Sequence, residues 1–288
     1  ALLPARGLAA VDCGCTDVGP YSDPAKPAKI VASPSGLSPH SKYSLAAVSL
    51  VGSIEITITR VSPAGPVLTM TVPNTSRWGF SPDDDRFVYH YVESGTIHHV
   101  ILHDLTSLTP GTRIWEGSST PVSSRVLFSP NGKYLLYTST NGVPQTSIYL
   151  VDAPTGTVKY NVVRNFAPLP ESGEDGFGTM GWGFSPDAED RSFIYATVQG
   201  AQWVLFDLVN LSAGAVVLER TLLSISSFWQ FSPCGDALAI VAQELLSNQF
   251  TSLYRTSDGV KITERTDPIA SFPFTFDIVL SSSSASQI

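Results

Sequence analysis

Basic residues are scarce in this 288-residue chain: 17 Lys and Arg face 25 Asp and Glu, leaving a net charge of −8 at neutral pH. No cluster of Lys or Arg overrides that average, so nucleic acid and anionic membrane surfaces are disfavoured as partners. There is no apolar run approaching the ~18 residues of a membrane-spanning helix; Ala1 to Ala10 is apolar but short and broken by Arg6. Helix signals are weak throughout. Signatures of common catalysts are missing as well: there is no Gly-x-Ser-x-Gly elbow, His-Glu-x-x-His pair, P-loop or Gly-x-Gly-x-x-Gly turn opening a helix. Cysteine is sparse and odd in number, limited to Cys13, Cys15 and Cys234. Cys13-Gly14-Cys15 is too short to define a metal site, and no Cys or His pair at zinc-finger spacing follows it.

What the chain does have is a repeat. Trp78-Gly79-Phe80-Ser81-Pro82-Asp83 returns as Phe128-Ser129-Pro130-Asn131-Gly132, as Trp182-Gly183-Phe184-Ser185-Pro186-Asp187 and as Trp229-Gln230-Phe231-Ser232-Pro233-Cys234-Gly235, with a weaker copy at Leu37-Ser38-Pro39-His40. Ser81, Ser129, Ser185 and Ser232 stand 48, 56 and 47 residues apart, a period suited to one four-stranded propeller blade. Behind each copy lies a short β-rich run, at Arg86 to Tyr91, Tyr134 to Thr138, Ser192 to Thr197 and Ala237 to Val241. A second run follows and closes near Asp104, Asp152 and Asp207, at 23, 23 and 22 residues from the repeat serine. Proline presets φ for a tight turn, and Ser and Asp side chains can bond back to the turn's own amides. The aromatic residues before the turn, Trp78, Trp182 and Trp229 among them, belong between blades as core wedges.

These repeats resemble the WD-repeat-like propellers of the TolB type, over roughly residues 37 to 265. The resemblance implies an all-β fold: a β-propeller of five four-stranded blades, with the ring closed by a terminal strand. Residues 1–28 are then an irregular N-terminal arm, 29–280 the propeller and 281–288 a Ser-rich linker or tail. Ile30 to Ala32 is a strand candidate, and Phe272 to Leu280 is expected to be the closing strand that completes the first blade. A bridge from Cys13 or Cys15 to Cys234 would clamp such a closure in an oxidising compartment; a pair inside the N-terminal segment and three unpaired thiols are the alternatives. Propellers of this type serve as binding scaffolds, periplasmic transport components and non-catalytic domains of serine peptidases.

Function is less legible. Residues 165 to 180 lengthen the third repeat and carry Glu171, Glu174, Asp175 and Phe177. Long inter-blade insertions build binding surfaces, so these four are the expected binding residues. Their carboxylate spacing matches no calcium loop. With a two-residue turn at Ser94-Gly95, His90 would fall opposite His99, and His103 would share a face with His99, giving His90 and His99 as weak metal candidates; no cofactor is expected. The reading that follows is a non-catalytic binding or scaffold module, extracellular or periplasmic, that meets a protein or carbohydrate partner alone or beside further domains of the same chain. A carbohydrate lyase or hydrolase with residues at the central channel, and the accessory propeller of a serine peptidase, are the alternatives.

Overall fold

The computed structural model describes residues 28–29, 35–93, 95, 97–106, 111–119, 123–140, 145–165, 182–187, 189–199, 203–223, 226–232, 234–243 and 248–268. Every described element is a strand. After β1 (Ala28–Lys29) come four strands of a first blade, β2 (Ser35–Leu37), β3 (Tyr43–Leu50), β4 (Ser53–Arg60) and β5 (Gly65–Pro73). The second blade is β6 (Arg77–Phe80), β7 (Arg86–Glu93), β8 (Ile97–Asp104) and β9 (Thr112–Ser119). The third is β10 (Ser123–Phe128), β11 (Tyr134–Thr140), β12 (Gln145–Asp152) and β13 (Val158–Asn165). The fourth is β14 (Trp182–Phe184), β15 (Ser192–Gln199), β16 (Trp203–Asn210) and β17 (Ala215–Leu223), and the fifth β18 (Ser226–Phe231), β19 (Ala237–Gln243), β20 (Asn248–Arg255) and β21 (Lys261–Pro268). Each blade is an antiparallel meander in chain order, and β1 adds to β10 at the innermost edge of the third. The molecule is an all-β propeller of five blades.

Ile30 to Ala32 lies outside the described residues, as do the closing strand expected at Phe272 to Leu280 and both Cys13 and Cys15. The first blade supplies its four described strands from its own repeat. Cys234 is disulfide-bonded, and the partner expected at Cys13 or Cys15 falls outside the described residues.

The five Ser-Pro turns are built alike. In each, the serine is buried, and its Oγ accepts the amide of the residue opening the next strand at 2.9–3.0 Å: Tyr43, Arg86, Tyr134, Ser192 and Ala237. Shortly after each serine the backbone takes a positive φ, at Ser41, Asp84, Gly132, Asp190 and Gly235. Glycine is the low-cost residue there, so aspartate at two of the five positions calls for a compensating interaction. Both find one in the preceding blade. Asp84 accepts from Ser38 Oγ at 2.5 Å and from the His40 and Lys42 amides at 3.0 and 3.1 Å. Asp190 accepts from the amide and the side chain of Asn131 at 3.1 and 3.0 Å. At the junctions between, the relation reverses: a Cβ on Gly132 would stand 2.9 Å from Asp83 Oδ1, and one on Gly235 would stand 2.7 Å from Asp187 Oδ2.

Large apolar groups fill the space behind these latches. Tyr43, Leu45, Ile56 and Ile58 of the first blade meet Trp78 and Phe87 of the second. Val88, Val100 and Leu102 meet Phe128, Leu135 and Tyr137; Tyr134, Leu136 and Ile148 meet Trp182 and Phe193; Ile194 and Phe206 meet Trp229 and Ile240. The three tryptophans are at most 5% exposed and pack between blades, as the wedge role expects. All five blades carry a register shift at one equivalent place between third and fourth strands. It bends the outer hairpin so that Gly156, Gly214 and Gly259 press on the outer strand of the blade before, their would-be Cβ atoms 2.0–2.5 Å from the carbonyls of Ile114, Lys159 and Val217.

Replacing Asp84 by Ala should lower the unfolding free energy by about 3 kcal/mol, because a buried hydroxyl and two amides lose a charged acceptor. Asp84→Gly restores the backbone preference without the latch and should regain about 1 kcal/mol of that loss. Urea unfolding midpoints check the order wild type, Gly, Ala; equal midpoints would contradict it.

Candidate functional site

Antiparallel order sends alternate connections to opposite ends of every blade. The Ser-Pro turns and the outer-hairpin turns share one end, whereas the turns between second and third strands share the other with the crossings to the next blade. At the Ser-Pro end, polar side chains are consumed by packing between blades. Lys42 Nζ reaches Asp85 at 2.9 Å, Lys133 Nζ reaches Glu189 at 2.5 Å, and Arg86 spans to the Ala153 carbonyl of the third blade at 3.2 Å. The longest crossing, between Asn165 and Trp182, emerges at the opposite end. Glu171, Glu174, Asp175 and Phe177 sit within it and lie outside the described residues.

The described part of that end is richest in chemistry on the second blade. Register pairs His90 with Val100 and Tyr91 with His99, so the expected facing of His90 and His99 is overturned. Three residues, not two, separate the last pair, Glu93 and Ile97, with Gly95 at φ 75° between them. One extra turn residue moves each side chain to the other face of the sheet. His90 instead meets His98 on the diagonal, Nε2 to Nδ1 at 3.0 Å. The ring planes are tilted by 34° with centroids 5.2 Å apart. Burial, reinforced by His98, Arg77 and His99, lowers the His90 pKa to about 4. Burial lowers His98 as well, with His99 adding to it.

On the other face a row of rings is stacked: Tyr91 on His99 at 4.7 Å between centroids and Tyr89 on His103 at 5.8 Å. His99 lies between two carboxylates, Nε2 2.9 Å from Glu93 and Nδ1 3.6 Å from Glu116, while Arg113 holds Glu116 at 2.7 Å. His103 donates from Nδ1 to the Gly111 carbonyl at 2.6 Å. Each of these histidines has one nitrogen hydrogen-bonded, while His99 Nδ1 and His103 Nε2 are buried with no hydrogen-bond partner among the described residues. Among the described residues, no group of three or more His, Cys, Asp or Glu side chains is placed to hold a metal ion.

A second cluster, unforeseen from sequence, lies between the third and fourth blades. Asp207 is fully buried, and Arg164 of β13 reaches its Oδ2 at 2.7 Å and Glu219 at 3.0 Å. Tyr195 donates to the same Asp207 oxygen, and the Tyr160 and Tyr195 hydroxyls are 3.0 Å apart. Burial raises the Asp207 pKa against the opposing pull of Tyr195 and Arg164. The reading of Asp207 as a strand-end counterpart of Asp104 and Asp152 is corrected here. Asp104 and Asp152 cap the outer turn by accepting the Thr106 and Thr155 amides at 2.9 and 3.0 Å, and in the fourth blade Asn210 does this, accepting the Ala213 amide at 3.0 Å. The longer Ser-Pro turn of that blade displaces the count, and Asp207 instead pairs with Tyr195 across the sheet.

Among solved structures, the chain is similar to TolB from Acinetobacter baumannii, at 17% identity and a TM-score of 0.32, with 81% of this chain and 53% of that one covered. It is similar to a putative TolB from Agrobacterium tumefaciens at 20% identity and a TM-score of 0.31, covering 81% and 78%. The β-propeller domain of the Trilobed protease from Pyrococcus furiosus matches at 11% identity and a TM-score of 0.40, covering 76% and 66%. The chain spans about half the length of the first of these, and at such identities the likeness concerns the fold alone. Neither a family model nor a curated protein matches the chain.

Arg164→Ala strands the buried Asp207 charge and should cost about 3 kcal/mol, whereas the Arg164→Ala/Asp207→Ala double variant should lose less than the sum of the two single changes. A thermodynamic cycle from urea unfolding measures the difference; strict additivity would show that the pair is not coupled. The histidines add a pH dependence. His90 holds a pKa of about 4 in the fold against an ordinary 6.5, so protons favour the unfolded chain. The His90 contribution to stability is complete above pH 6.5 and is lost as pH drops through that window toward 4. His90→Gln should flatten this decline, leaving the smaller share of His98 and His103; an unchanged slope of midpoint against pH would contradict the assignment.

Proposed function

We propose that this propeller is a non-catalytic binding module, exported from the cytoplasm, which meets a protein or carbohydrate partner through the end that carries the inter-blade crossings. The observation behind this reading is the asymmetry of the two ends. At the Ser-Pro end, Asp84, Asp190 and Ser38 are buried and committed to neighbouring blades. The opposite end carries the long insertion between Asn165 and Trp182 and turns of differing length. A long insertion at one end over latches repeated at the other suits a scaffold for recognition. Within the insertion, Glu171, Glu174 and Asp175 supply acceptors for hydroxyl or cationic groups, and Phe177 supplies an apolar face for stacking. The disulfide at Cys234 supports export, since such bonds persist in oxidising compartments.

The test replaces Glu171, Glu174, Asp175 and Phe177 together by Ala and compares the variant with the intact protein on a glycan array and in cross-linking to surface proteins of the source cells. Loss of binding with an unchanged urea midpoint is expected. Unchanged binding would remove the insertion from the interface, and binding abolished only by changes near the Ser-Pro turns would reverse the choice of end.

A further inference from the structure

We propose that His90 and His98 form a bidentate anchor for a borderline divalent transition-metal ion, of the Zn2+, Ni2+ or Cu2+ class, near the crossing end of the second blade. Two imidazole nitrogens held by one ion at about 2.0–2.1 Å each must stand roughly 3 Å apart when the angle at the ion lies between a right angle and tetrahedral. His90 Nε2 and His98 Nδ1 are 3.0 Å apart. The separation comes from the backbone: His90 and His98 occupy diagonal positions on adjacent strands, opposite Val100 and Val92. The chelating distance is therefore set before any ion arrives, and ordering long side chains costs little.

Each ring ligates through the lone pair of a neutral imidazole nitrogen. One ring now donates to the other. The ion would take the place of that hydrogen between the two nitrogens, the donor ring changing tautomer. Imidazole donors select Zn2+, Ni2+ and Cu2+ over the oxygen-seeking Mg2+ and Ca2+. His99 and His103 are not donors to this site, being held by Glu93 and by the Gly111 carbonyl on the opposite face. With two protein donors the ion keeps open positions, which a carboxylate or imidazole of another molecule can fill. Arg77 stands across the sheet from His90 and opposes the ion's charge, so affinity is moderate and tunable.

The site is independent of the insertion's role. Isothermal titration of the whole protein with ZnCl2 and with CuCl2 at pH 7.5, thiols alkylated, should show one site, tighter for Cu2+ in keeping with the general affinity order. His90→Ala and His98→Ala should each weaken it at least tenfold, His99→Ala should leave it within about twofold, and Arg77→Gln should tighten it. Because a histidine variant could unfold, Cu2+ electron paramagnetic resonance on the unaltered protein provides a second reading, with coupling to two equivalent nitrogens expected. Coupling to one nitrogen or none, or a titration indifferent to either His90 or His98, would overturn the proposal.

Discussion

The structure depends on how a buried serine and a left-handed residue close the same turn five times. Serine satisfies the amide that opens the next strand, which fixes where that strand starts and so which side chains face which neighbouring blade. A four-stranded sheet with apolar residues on both faces cannot stand in water alone, so the turn must also join sheet to sheet. The chain does this with alternating chemistry. A carboxylate from the second or fourth blade reaches back into the turn before it, and a glycine in the third or fifth makes room for a carboxylate of the blade before. Either way one acidic group lies at each of the four described junctions. The acidic composition is thus partly structural: Asp83, Asp84, Asp187 and Asp190 serve the fold, as their repeat positions implied.

This explains why the fold was legible in the sequence and the sites were not. The turn needs Ser, Pro and a residue tolerant of positive φ, and the wedge needs Trp or Phe; both leave a spaced signature. Where spacing was used without the turn geometry behind it, it misled. Asp207 matched the count from Ser185, yet two further residues in the Ser-Pro turn of that blade moved the capping role to Asn210 and left Asp207 buried against Arg164. His90 and His99 were brought together by a two-residue turn that has three residues in the fold, and a period-two element turns such an error into a change of face. A signal for the true register existed in Gly95, which suits a left-handed position in a three-residue hairpin. Arg164 had no comparable signal, because its partner lies 43 residues away in the next blade.

The commitment of the Ser-Pro end follows from the same constraint. A turn that must hold a serine, a left-handed residue and a reach-back carboxylate has those side chains engaged in the fold, and outer hairpins whose glycines touch a neighbour's carbonyl are equally committed. The fourth Ser-Pro turn is two residues longer and keeps its latch, whereas the third repeat accommodates its long insertion at the crossing end, where the second blade also carries His98 and His99.

The histidine-rich face shows how a sheet can carry a functional group without disturbing its core. Val100 and Leu102 keep the second blade packed on the third, while the strand between them and the crossing end turns polar. A flexible loop bearing two imidazoles would lose conformational entropy to bring them together, whereas two strands already locked by a hydrogen-bond ladder have met that cost in folding. The same ladder that locks the strands holds two ring nitrogens 3.0 Å apart.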